Sequence, residues 1–104
     1  MSKSAKRVAS RYLAAQEPLS IEMLTGQDRF SRNEIEVLEF YLRNSQRKGK
    51  DWLKDMLKDW KAFASRNRRY WEGTDLEEYY LDYKRRRIDF KKVYQALVKL
   101  YELI

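Results

Sequence analysis

Arg66-Asn67-Arg68-Arg69-Tyr70-Trp71 sets three guanidinium groups directly before two aromatic rings. A second basic run, Lys84-Arg85-Arg86-Arg87, leads on to Lys91-Lys92. Cations that hold phosphates beside rings that stack on bases are the chemistry of nucleic-acid binding. Arg66, Arg68, Arg69, Lys84, Arg85 and Arg86 are therefore the candidate phosphate contacts. The competing reading is plainer. Exposed helix faces carry Lys and Arg for solubility, and Glu77, Glu78, Asp82 and Asp89 neutralise part of the second run. Two acidic sets, Glu34-Glu36-Glu39 and Glu77-Glu78-Asp82, could in principle gather a metal, but on exposed helix they read as solvated charge.

The rest of the inventory is defined by what it lacks. The 104 residues contain no His and no Cys. That removes disulfides, thiolate nucleophiles, His general bases, catalytic triads and the usual zinc sites. No carboxylate constellation replaces them, so the chain is not expected to be an enzyme, to carry a cofactor or to take a small-molecule substrate. Twenty-three Lys and Arg against sixteen Asp and Glu give a net charge of +7. With 43% hydrophobic and 14% aromatic residues the chain is globular rather than disordered. Its length suits one domain spanning 1–104. The basic start, Met1 to Arg7, is followed by no apolar h-region, and no run reaches the roughly 18 apolar residues of a membrane span. The expected location is cytoplasmic or virion-associated, neither secreted nor membrane-bound.

Pro18, Gly26, Gly49 and Gly73 divide the chain into helical pieces. The first, 4–17, ends because Pro18 disfavours helix at the preceding residue. The stretch 19–29 reads as a single turn or a short extended piece. Ser31-Arg32-Asn33-Glu34 is a capping box with Phe30 and Ile35 placed as a hydrophobic staple, predicting a helix over 31–47. Residues 50–71 form the clearest amphipathic pattern: Trp52, Leu53, Met56, Leu57, Trp60, Phe63 and Ala64 share one arc. A second capping box, Thr74-Asp75-Leu76-Glu77, opens a final helix over 75–104. A helix-turn-helix made from 31–47 and the Trp52 helix is disfavoured, because its second helix would turn Asp side chains towards phosphate.

Within that last segment Leu76, Tyr80, Tyr83, Arg87, Phe90, Tyr94, Leu97, Tyr101 and Ile104 follow one another in alternating steps of four and three. This is a heptad seam with one polar position, Arg87, expected to snorkel outward with its stem on the aromatics. Continuity of phase favours a single helix. The rival reading breaks it at Arg87-Ile88-Asp89, with Asp89 as a new cap and Ile88 stapled to Val93. The expected fold is all-α: a small helical bundle built on a long antiparallel helical hairpin, 50–71 against 75–104, with additional N-terminal helices. A final helix of thirty residues outruns its neighbour. Either the N-terminal helix covers its apolar end or another subunit does; in the second case Tyr94, Leu97, Leu100, Tyr101 and Ile104 are the expected interface for a protein partner or a second copy.

Ala5-Lys6-Arg7-Val8-Ala9-Ser10-Arg11-Tyr12-Leu13-Ala14-Ala15 resembles a short N-terminal stretch of proteins from large tailed bacteriophages. The resemblance covers about a tenth of the chain and implies a viral setting, without an activity. It makes 4–17 a docking arm carried by Arg7, Arg11 and Tyr12. The expected function is a non-enzymatic structural, assembly or protein-interaction component. The alternative is a basic nucleic-acid-binding module.

Overall fold

The computed structural model describes residues 19–104, so the docking arm with Arg7, Arg11 and Tyr12 lies outside the described residues. The described part is all-α. Its helices are α1 (Ile21–Thr25), α2 (Arg32–Lys48), α3 (Lys50–Ala64), α4 (Arg68–Trp71), α5 (Leu76–Arg85) and α6 (Phe90–Leu103). None of them is long and apolar enough to cross a membrane.

The capping box at the start of α2 forms as the sequence requires. The Glu34 amide donates to Ser31 Oγ at 3.2 Å, and the Ser31 amide donates to Glu34 Oε1 at 2.8 Å. At the other end a single residue, Gly49, separates α2 from α3 at φ 96°. Nothing lies within 4 Å of where a Cβ would stand. Its requirement is therefore conformational: a left-handed residue must reverse the chain in one step.

The long antiparallel hairpin exists, but it is shorter than the pattern suggested. The helix expected over 50–71 stops at Ala64 and resumes as the one-turn α4. The helix expected over 75–104 stops at Arg85 and resumes at Phe90. Both stops are Schellman motifs. At the first, the Asn67 amide donates to the Ala62 carbonyl and the Arg66 amide to that of Phe63. At the second, the Ile88 amide donates to Tyr83 and the Arg87 amide to Lys84. The residues in the left-handed position are Arg66 (φ 59°) and Arg87 (φ 60°), where glycine would be usual. Arg87 thus lies between two helices and not on a helical seam. The rival reading of this segment is the correct one. The Asp89 carboxylate accepts from the Lys92 amide at 3.1 Å, and the staple residues Ile88 and Val93 are both buried. The Thr74 cap is displaced by one residue from its expected form: Glu77 Oε1 accepts from the Gly73 amide, and Thr74 Oγ1 accepts from the Leu76 amide.

The core sits between α2, α3 and α6. Helices α3 and α6 run antiparallel, since the Lys50 ammonium stands 4.5 Å from the Tyr101 ring while Phe63 meets Phe90 at 5.5 Å. Trp60 is the centre of the packing, with no exposed surface. Its ring lies 4.8 Å from Tyr83, 5.7 Å from Phe63 and 5.8 Å from Phe90, and its Nε1–H donates to Tyr41 Oη at 2.9 Å. Beside it Trp71, Tyr80 and Phe90 form a continuous stack, at 4.0 and 5.0 Å between neighbouring ring centres. This aromatic pile fastens α4 and α5 to the bundle, although α5 has no fully buried residue of its own.

Glu34 joins the two ends of the core. Its side chain is 4% exposed, and its second oxygen accepts from the Asp89 amide at 2.7 Å. One carboxylate thereby satisfies the amides at the N-termini of both α2 and α6, where the helix dipoles favour negative charge.

Candidate interaction surfaces

Helices α2, α3 and α5 leave a groove of about 740 Å³ between them. Tyr41, Trp52, Met56 and Phe63 form its floor, and Phe40 of α2 faces Leu76 and Tyr79 of α5 across it. The floor is fixed: Tyr41 stacks on Trp52 at 5.6 Å, and Lys48 caps the same indole. The walls are open. Phe40 is 48% exposed and Tyr79 is 58% exposed. Arg86 closes one end by reaching from α5 to Glu36 of α2 at 3.1 Å, while also pairing with Asp82. Charges on the rim balance, with Glu36, Asp59 and Asp82 against Arg43, Lys48 and Arg86.

Several ionisable groups here are displaced from their usual ranges. Burial pushes the Tyr41 hydroxyl well above its ordinary value of 10, and burial likewise raises Tyr83. Loss of hydration raises the Asp59 carboxyl, partly offset by the hydrogen bond it accepts from Tyr70 Oη at 3.0 Å. The tyrosine shifts have a definite sign. The folded state holds these protons more tightly than the unfolded chain, so their contribution is complete below the unfolded value near 10 and disappears as pH rises beyond it. Urea midpoints should stay level up to about pH 10 and fall above it, and Tyr83→Phe should make that fall shallower. An unchanged alkaline slope in that variant would contradict the assignment.

The interface expected at the C-terminal end is placed differently by the structure. Leu97 and Leu100 are 0% exposed, packed inside the chain itself. Tyr94 and Tyr101 are half-buried at the edge of the same core, and Ile104 is 36% exposed at its end. The reason is length. Once the segment breaks at Arg87, the fourteen residues of α6 match the fifteen of α3 in length, and of its apolar end Leu103 and Ile104 are the exposed residues.

The basic candidates divide by partner. Arg68 pairs with Glu72 and Arg85 with Asp82, both at 3.0 Å, and Arg86 is taken up by Glu36 and Asp82. Arg66, Arg69 and Lys84 are exposed, with no ion pair among the described residues. Sequence reasoning missed two further cations. The Asn33 side chain donates to the Arg86 carbonyl at 3.2 Å, and the Lys92 ammonium donates to the Arg29 carbonyl. These bonds hold the 29–33 segment, with the exposed Arg29 and Arg32, against the joint between α5 and α6, whose own exposed cations include Lys84, Arg87 and Lys91.

The acidic sets do different work from metal binding. Glu34 is committed to backbone amides, Glu36 and Asp82 to arginines, and Glu77 to the Gly73 amide. Among the described residues no group of three or more carboxylates is assembled to hold a metal. No protein-family model matches the chain, and the searches found neither a characterised protein nor a solved structure similar to it.

Proposed function

We propose that the chain is a non-enzymatic protein-interaction or assembly component that binds a protein segment in the groove between α2, α3 and α5. The observation that carries this reading is the pair Phe40 and Tyr79, large rings exposed above a fixed aromatic floor. Aromatic anchors facing a concave apolar surface are the usual source of binding energy at protein interfaces. The balanced rim supports a protein ligand, because a polyanion would gain little from three positive charges set among three negative ones. The likeness of residues 5–15 to phage proteins supports a virion or its assembly as the setting.

Two substitutions test the groove. Phe40→Ala and Tyr79→Ala change stability by less than about 0.5 kcal/mol, since both side chains stand substantially in water. Each weakens partner binding by about tenfold or more, the scale of an interface anchor. Unfolding curves and binding isotherms measured on the same preparations separate the two effects. Equal affinity in wild type and both variants would remove the groove from the account.

A second reading rests on a different observation, the bonding of the 29–33 segment to the α5–α6 joint, which sets the exposed Arg29, Arg32, Lys84, Arg87 and Lys91 on adjoining segments. Such a set suits phosphodiester contact, and the affinity for DNA or RNA would fall steeply with salt. Arg32→Ala combined with Arg87→Ala should lower the salt slope by about two, one for each phosphate contact removed. Absence of binding at low salt would dispose of this reading while leaving the groove untouched.

A further inference from the structure

The joint from Arg86 to Asp89 breaks a helix whose side-chain pattern continues through it. Leu76, Tyr80 and Tyr83 on one side and Phe90, Tyr94 and Leu97 on the other keep the same alternation of four and three, with Arg87 occupying the intervening place. Straightened, Leu76 to Leu103 would form one helix of about 42 Å with a single stripe. The bend is imposed locally, by Arg87 at φ 60°, by burial of Ile88, and by the Glu34 carboxylate holding the Asp89 amide. A left-handed conformation is unfavourable for any residue with a Cβ. Beyond the bend, α6 is a self-contained unit whose Val93, Leu97 and Leu100 are fully buried in a site lined by the rest of the chain. A short strained hinge leading to a terminal helix seated in its own chain is the arrangement that exchanges between copies.

We propose that the chain dimerises by exchanging α6: in each copy the joint straightens, α5 and α6 continue as one helix, and α6 seats against α2 and α3 of a second copy. The exchange preserves the packing of α6, because the second copy offers identical residues. It removes the left-handed strain at both joints, and the Asp89 amide passes from Glu34 to the Arg85 carbonyl, its acceptor in a continuous helix. Against this stands Ile88, which lies off the seam and leaves the core on straightening. Leu97 and Leu100, internal in the single chain, with Tyr94, Tyr101 and Ile104 at their edge, then become the interface between copies. This inference goes beyond the groove and does not depend on it.

The two hinge residues predict opposite effects. Arg87→Gly relaxes the bend and weakens the continuous helix, so it lowers dimer affinity about tenfold per joint, or about a hundredfold per dimer. Arg66→Gly makes the same relief at a joint that does not exchange, and leaves association unchanged. Ile88→Gln weakens only the bent state and raises the dimer fraction about tenfold or more. Light scattering across concentrations, after refolding at high and low protein concentration, reads all three. The geometry of exchange is read separately. The chain has no cysteine, so Lys50→Cys with Tyr101→Cys creates one pair, across the α3–α6 contact. A bismaleimide should join this pair between chains in the dimer fraction and within the chain in the monomer. Links confined within chains in a dimer would overturn the exchange and leave the groove standing. A chain that stays monomeric at every concentration, with Ile88→Gln included, would also overturn it.

Discussion

Trp60→Ala lowers the unfolding free energy by about 4 kcal/mol, the largest loss expected of any single substitution in the described residues. Domains of this size are stable by roughly 5–15 kcal/mol in total, so the variant stands near the limit of folding. The size follows from position. Trp60 is completely buried, its ring touches Tyr83, Phe63 and Phe90, and its indole N–H is spent on Tyr41. Truncation leaves a cavity where α2, α3, α5 and the start of α6 meet. It also removes the donor that orients Tyr41, a floor residue of the groove. Trp60→Phe keeps a ring but loses the N–H, and should cost about half as much. Urea unfolding followed by circular dichroism measures both. A loss below about 2 kcal/mol for the alanine variant would mean that the aromatic pile is not the centre of the core.

Glu34→Ala is the second large effect, a loss of about 3 kcal/mol. Hydrogen bonds to a charged acceptor contribute about 1.5–3 kcal/mol, and two donors, the amides of Ser31 and Asp89, would be left without one. Glu34→Gln retains an acceptor oxygen but sets an NH2 group against the second amide, and should lose somewhat less. The Ser31 hydroxyl still caps the Glu34 position in either variant, so α2 itself persists. Amide hydrogen exchange should therefore accelerate chiefly at Asp89 to Lys92, where α6 begins, and less along α2. Uniform acceleration over both helices would show that Glu34 stabilises the fold generally and does not specifically tie the two N-termini together.

The partner of Glu34 could not be read from the sequence, although its local role could. Ser31 and Glu34 are three residues apart, and a capping box is a short-range object. The Asp89 amide lies 55 residues away and depends on where α6 is placed. The same distinction runs through the fold. The all-α class, the amphipathic face of α3 with Trp60 on it, and the helix stop at Gly49 all follow from periodicity and from one residue type. The break at Arg66 does not, and that at Arg87 is signalled only by the Asp89 cap and the Ile88 staple, because Gly and Pro mark stops while this chain sets arginine in the left-handed position. Continuity of the heptad phase across Arg87 argued for one helix. The bend prevails through Ile88 burial and the Glu34 bond, neither of which periodicity registers.

The groove was harder to foresee. Phe40 and Tyr79 stand at the flanks of their helical stripes, where an aromatic residue reads as a widened core face. They become a surface because α5 folds back at Arg87 and leans towards α2. The signal present in the sequence was an excess of rings over what the seam positions needed. The junction of the two basic segments was hidden for a related reason: Arg29 and Arg32 precede the α5–α6 joint by more than fifty residues, and the fold alone brings their segments together.

The groove's role is tested most directly by site-specific photo-crosslinking in the cell that makes the protein. A benzophenone amino acid placed at Phe40 or at Tyr79 should yield a discrete adduct with a protein, while the same group at the exposed Gln95 of α6 or Glu22 of α1 should yield none. Adducts formed equally from all four positions, or from none, would contradict a groove built to hold a protein segment.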